Sequence, residues 1–204
     1  MILVKTITPV TNKKSKVELE GQPAFVLYKG ELSRYGIREE QEISEECYRE
    51  IIDEVLTKRA KIRTMHLLMT QDRTEAELRG KLTRDGHPDE VIDRAIAYVK
   101  SYHYIDDARY TRQYLESRRG KKSLRSIQFE LERRGVDRDT ILAVWEESGA
   151  REQSETGQIE ALLRKRAGEP HRMDEKELRR IYGYLARRGY SGSDISSVLA
   201  RYQQ

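Results

Sequence analysis

Beyond residue 57 the apolar positions fall at helical spacing and recur in three blocks. In each, an apolar residue is followed four positions on by another, then four further by a glycine, then by a second apolar pair. The first block reads Leu78, Leu82, Gly86, Ile92 and Ile96. The second reads Ile127, Leu131, Gly135, Ile141 and Trp145, and the third Ile181, Leu185, Gly189, Ile195 and Leu199. Counted from the glycines, which lie 49 and 54 residues apart, the five positions superpose without a gap. This is an internal tandem repeat. Each block predicts a helix that ends at its glycine, where a left-handed residue terminates helices. A second helix follows, with Pro88 in its first turn or with Asp137 or Ser191 as its N-cap. Thr74 with Glu77, and Asp174 with Glu177, predict capping boxes before the middle helix. Upstream stripes at Ala60, Leu67 and Leu68, at Tyr110, Tyr114 and Leu115, and at Ile159, Leu162 and Leu163 supply a leading helix to each unit.

The first 30 residues follow another rhythm. Ile2–Val4, Val17–Gly21 and Ala24–Tyr28 have strand-like composition and are separated by polar turn segments. They predict a small antiparallel sheet or hairpin that leans on the helix capped by Ser44. The expected fold is mainly α: three tandem three-helix repeats in an elongated row, with a small N-terminal sheet and helix as an extension. The expected boundaries are 1–56 for the extension, 57–105, 106–149 and 150–204 for the repeats, with a hinge at Glu152–Gly157. Deleting residues 1–40 is expected to leave the helical content intact.

Composition fits small cores: 37% of the residues are apolar and 36% charged, which suits helices with narrow buried stripes and wide polar faces. No apolar run approaches the roughly 18 residues of a membrane span, and the start lacks the features of a signal peptide. A cytoplasmic monomer is expected. The lone Cys47 excludes an internal disulfide, and Glu45, Glu46 and Glu50 around it disfavour a thiolate. Charge is distributed unevenly. Residues 1–56 carry 8 basic and 11 acidic side chains, whereas residues 57–204 carry 31 basic and 24 acidic, so a polyanionic partner is expected on the repeats.

No catalytic site is expected. Gly120-Lys121-Lys122-Ser123 resembles the end of a phosphate-binding loop, but the position five before that glycine is Leu115, inside a predicted helix. His66, His87, His103 and His171 are scattered and read as exposed residues rather than metal ligands, so neither metal nor cofactor is expected. The basic groups carry more information. Arg118, Arg119, Lys121, Lys122 and Arg125 crowd one interhelical junction. Arg133 and Arg134, and Arg187 and Arg188, immediately precede repeat glycines, and repeat three adds Arg164, Lys165, Arg166, Arg179 and Arg180. Cations at helix C-termini complement the helix dipole, for about 0.3–1 kcal/mol each, which is one account of the pairs before the glycines. Five mutually repelling cations near one turn are better explained by an anionic partner.

Several of these segments resemble the RecX family. Tyr104-Ile-Asp-Asp107 with Arg109, Tyr110 and Tyr114 is similar to the signature joining its first two repeats. Arg73–Leu78 with Lys81-Leu82 is similar to its first-repeat motif, and Ile127, Glu130-Leu131 and Arg134–Val136 to its second. The likeness covers residues 57–204, and the N-terminal sheet resembles the extension of longer members. One departure is Ser123-Leu124, where the family often has Gly-Pro. The resemblance implies a regulator of RecA that lies in the groove of the RecA–single-stranded DNA filament. Members restrain filament growth and inhibit ATP hydrolysis, strand exchange and assisted repressor cleavage, within DNA repair and SOS control; some bind DNA directly. The rival expectation is a tandem helix-turn-helix protein on duplex DNA. Asp89, Glu90, Asp93, Asp139 and Asp194 near the starts of the post-glycine helices would then face phosphates.

Overall fold

The fold is given by a computed structural model that describes residues 1–149 and 155–203. The chain divides at Asp106/Asp107 into two compact units.

In the first unit, strands β1 (Ile2–Pro9), β2 (Lys14–Leu19), β3 (Gln22–Tyr28) and β4 (Glu42–Ile43) form an antiparallel sheet in the order β3-β2-β1-β4. A short helix α1 (Lys29–Arg34) links β3 to β4. Ser44 then caps α2 (Glu45–Glu50) by accepting the Cys47 N–H at 3.0 Å. The helix does not stop there. A π-helical segment, Ile51–Thr57, carries it without a break into α3 (Lys58–Thr70). The position between residues 56 and 57 therefore lies inside one continuous helical run. The remaining helices of this unit are α4 (Glu75–Arg84) and α5 (Asp89–Ser101).

The sheet's inner residues Val4, Val17, Leu19, Phe25 and Leu27 join one core with Leu56, Ala60, Leu78, Leu82, Ile92 and Ile96. The extension is thus part of the first repeat's core. The shared core argues against the expected tolerance of the helices to loss of residues 1–40, because that deletion would expose the apolar face on which the sheet sits. The sheet comes close at Gly86, with φ +85°, where a Cβ would lie 2.3 Å from Val26 Cγ2.

The second unit contains α6 (Asp107–Arg118), α7 (Leu124–Arg133) and α8 (Arg138–Glu147), then α9 (Glu155–Ala167), α10 (Glu175–Ala186) and α11 (Gly192–Tyr202). Each triplet has its own small core, one around Leu115, Ile127, Leu131 and Trp145, the other around Ile159, Ile181, Leu185 and Leu199. Of the expected hinge, residues 152–154 lie outside the described residues, whereas Glu155, Thr156 and Gly157 begin α9.

The repeat register holds in atomic detail. All twelve apolar positions that define it are buried. Gly86, Gly135 and Gly189 have φ of +85°, +79° and +87°. After each glycine the next N–H donates to the carbonyl five residues back: His87 to Leu82 O at 3.1 Å, Val136 to Leu131 O at 3.1 Å, and Tyr190 to Leu185 O at 3.4 Å. These are Schellman closures, which bury the residue after the glycine against the helix it ends. Caps agree with the sequence at Thr74, Asp137 and Ser191. Two details differ. Pro88 occupies the N-cap of α5, one place before its first turn. Asp174 caps α10, but Glu177 turns to His171 and Arg180 instead of completing a box.

A histidine also departs from its expected place. His87 is not an exposed histidine; it is only 7% accessible, because it fills the post-glycine position that Val136 and Tyr190 fill in the other repeats. Burial, with Arg59 nearby, pushes its pKa down from 6.5 to about 4. Its ring is the neutral form at physiological pH.

Candidate nucleic-acid and protein interface

The junction between α6 and α7 is built by a left-handed Gly120 (φ +69°), after which Lys121 N–H and Lys122 N–H both donate to Arg118 O. Ser123 ends the turn and caps α7, accepting the Ser126 N–H at 3.1 Å. Its hydroxyl also donates to Gly189 O at 2.7 Å, and its N–H donates to Arg188 O at 3.0 Å. Leu124 N–H donates to the Glu155 carboxylate at 3.1 Å. Burial pushes that carboxyl above its usual range, with the Leu124 N–H acting in the opposite direction.

Ser123-Leu124, the departure from Gly-Pro, therefore makes three hydrogen bonds to the third repeat. A Gly-Pro pair lacks the hydroxyl and the second N–H and would make one of them. The fit is close: a Cβ on Gly189 would lie 2.6 Å from Ser126 Cβ and 2.7 Å from Ser123 Oγ.

Beside this latch opens a cleft of about 720 Å³. Lys121 reaches it from the junction, Lys165 from α9, and Arg188 from the end of α10, with Leu162 and Tyr184 in its lining. No described carboxylate lines it. The guanidinium of Arg188 stands 3.8 Å from the Tyr184 ring centre and that of Arg166 4.3 Å, both within cation–π range.

The other basic residues sort by their partners. Lys122 pairs with Glu130, which also accepts from the Tyr114 hydroxyl at 2.6 Å. Although burial pushes the Glu130 carboxyl up, these two donors hold it below the usual carboxylate range. Arg118 and Arg134 lie over the Tyr114 ring and Arg133 over Phe129. Arg179 pairs with Glu175, and Arg180 with Glu177 at 3.7 Å. Arg187 folds back beside Gly183, and Arg164 lines a smaller cavity with Glu160 and Arg201. Arg119 and Arg125 are exposed at the junction.

The structure thus brings Lys121, Lys165 and Arg188 together, with Arg166 sharing the Tyr184 ring, and does not gather the rest into that cleft. Sequence reasoning named all three but did not join them. It missed Tyr184, which fixes the arginines, and the structural part played by Ser123. Among the described residues no three His, Cys, Asp or Glu side chains are grouped to hold a metal, and no helix is long and apolar enough to cross a membrane.

This architecture defines a class: proteins of tandem three-helix repeats, each closed by a left-handed glycine, with an N-terminal sheet packed on the first. Three family descriptions match in order: RecX, first three-helix domain, at residues 60–99; second at 106–144; third at 154–199. The chain belongs to the RecX family. It is 37% identical over 131 residues to the regulatory protein RecX of Mycobacterium avium, covering 62% of this chain and 75% of that one. It is 28% identical over 200 residues to that of Caldanaerobacter subterraneus subsp. tengcongensis, covering 98% of both. The fold is also that of solved structures. A crystal structure of regulatory protein RecX aligns over 98% of this chain and 100% of that one, with a TM-score of 0.56 at 19% identity. RecX from Lactobacillus salivarius aligns over 72% and 96%, with a TM-score of 0.55 at 18% identity.

Proposed function

We propose that this protein binds the RecA–single-stranded DNA filament and restrains RecA's recombinase, ATPase and coprotease activities, in DNA repair and SOS control. It acts in the cytoplasm, as a monomer, without catalysis or cofactor. The observation that carries this reading is the ordered match of all three repeats to the three RecX domains. The physical reading supports it. Units with separate cores can contact successive subunits of a polymer, and each weak contact raises the effective concentration for the next. A surface rich in both charges favours electrostatic complementarity over a hydrophobic clamp.

Direct reading of duplex DNA is disfavoured. The first turns of the post-glycine helices carry Asp89 and Glu90, Asp139, and Asp194, where a docking helix would meet phosphates. Co-sedimentation tests the choice. The protein should pellet with RecA filaments on single-stranded DNA at concentrations where naked duplex retains none. Equal retention on both would overturn the reading.

A further inference from the structure

Three cations in the second unit are spared the neutralisation that their neighbours receive. Among the described residues none of Lys121, Lys165 and Arg188 is in an ion pair; the Lys121 ammonium donates to Ser117 O at 2.9 Å and remains exposed. They come from three different elements, yet line one cleft with no described carboxylate among them. Gathering like charges costs energy unless an anion completes the site.

The walls are also fixed in advance. The Tyr184 ring holds the Arg188 guanidinium, and the buried Arg188 Nε has no hydrogen-bond partner among the described residues. The backbone carbonyls of Arg188 and Gly189 are tied to Ser123, two residues from Lys121. Less orientational freedom is therefore lost when a ligand arrives.

We propose that this cleft holds the phosphodiester backbone of a single DNA strand, with Lys121, Lys165 and Arg188 each meeting a phosphate. The inference rests on the filament-binding reading above and narrows it. A polyanion with regularly repeated charges suits cations presented by separate elements, and Leu162 and Tyr184 offer apolar surface to sugar and base. The cleft's volume falls within the roughly 300–1,000 Å³ of small-molecule and cofactor sites, the scale of a nucleotide. Contacts of this kind are independent of sequence.

The test uses the full chain and a fluorescent oligothymidylate, without RecA, titrated across a range of salt. The double variant Lys121→Ala/Lys165→Ala should bind about tenfold more weakly at low salt. Its log–log salt slope should fall by about 1.4, since each lost phosphate contact on a single strand removes about 0.7. Lys13→Ala/Lys29→Ala removes the same charge from exposed positions on the first unit and should leave the slope unchanged. An unchanged melting curve shows that the cleft variant is folded. The proposal is overturned if the cleft variant keeps the parent slope, or if the control loses as much. Unchanged oligothymidylate binding with weaker pelleting on RecA filaments would place protein carboxylates in the cleft, sinking the proposal but not the filament reading. The expected slope change in a protein that never pellets with RecA would uphold the cleft and sink that reading.

Discussion

The two units solve the same packing problem in different ways. In the first, a sheet is laid on a three-helix repeat, and both share one large core that runs from Ile2 to Ile105. In the second, two repeats keep separate small cores and are joined by polar contacts centred on Ser123. In both, a repeat glycine makes the join: Gly86 against Val26, Gly189 against Ser123 and Ser126. The glycine therefore serves twice. It provides the left-handed residue that ends a helix, and its missing side chain lets another element approach. A hydrophobic join commits the first unit to a single rigid body. A polar join leaves the second with charged side chains free beside it.

The largest expected effect follows from the shared core. Removing residues 1–43 should unfold repeat one with the sheet, while the second unit retains its cooperative melt. Circular dichroism should show the loss of more helix than the deleted residues contain. Leu27→Ala, at a fully buried sheet position, should cost about 2–5 kcal/mol in the first unit alone. A deletion mutant that keeps the parent helicity of repeat one would break the comparison.

His87 gives the next effect. Its folded pKa, about 4, lies below the unfolded value near 6.5, so the unfolded chain binds a proton that the folded one refuses between those values. Stability of the first unit should be flat above pH 6.5 and fall as pH drops towards 4, by about 3 kcal/mol in all. Arg59, Lys14 and Arg63 reinforce the depression and Asp85 opposes it. His87→Val, the residue of repeat two, should remove most of this acid dependence in denaturant titrations at pH 7 and pH 4.5. An equal fall with pH in the variant would assign it to other groups.

The glycines sharpen the contrast. A side chain at φ near +85° costs about 1–3 kcal/mol before any clash is counted. Gly86→Ala should lower the melting temperature of the whole first unit. Gly189→Ala should strain the third repeat's turn and part it from the second, with repeat two still folded. Amide exchange should then quicken at Ser123 and Leu124 and stay slow at Leu131. The smallest effect is Ser123→Ala, about 1 kcal/mol for a lost N-cap, with the same local loosening.

Much of this was legible in the sequence, for a physical reason. A helix-terminating glycine and apolar residues at fixed offsets recur whenever one packing unit is repeated, and they need no knowledge of long-range contacts. The same register held a signal that residue type obscured. His87 lines up with Val136 and Tyr190, and position rather than chemistry decides its burial. The two-residue β4 and the six-residue α1 were not legible, because elements so short are fixed by their neighbours rather than by periodicity. The cleft was not legible either. Lys121, Lys165 and Arg188 meet only because Gly189 permits the third repeat to approach Ser123. A list of basic residues ranks Lys122 beside Lys121, and only the fold shows Lys122 committed to Glu130.

The central claim is that the second unit's exposed cations act on the RecA filament. ATP hydrolysis by RecA on single-stranded DNA, titrated with this protein, tests it most directly. If each bound molecule contacts several subunits, as proposed, the parent should inhibit hydrolysis at substoichiometric ratios to RecA. Arg118→Ala/Arg119→Ala/Lys121→Ala should melt as the parent does, because these side chains are exposed, and should need about tenfold more protein for the same inhibition. Undiminished hydrolysis with the parent, or a variant that inhibits as well as the parent, would contradict the account.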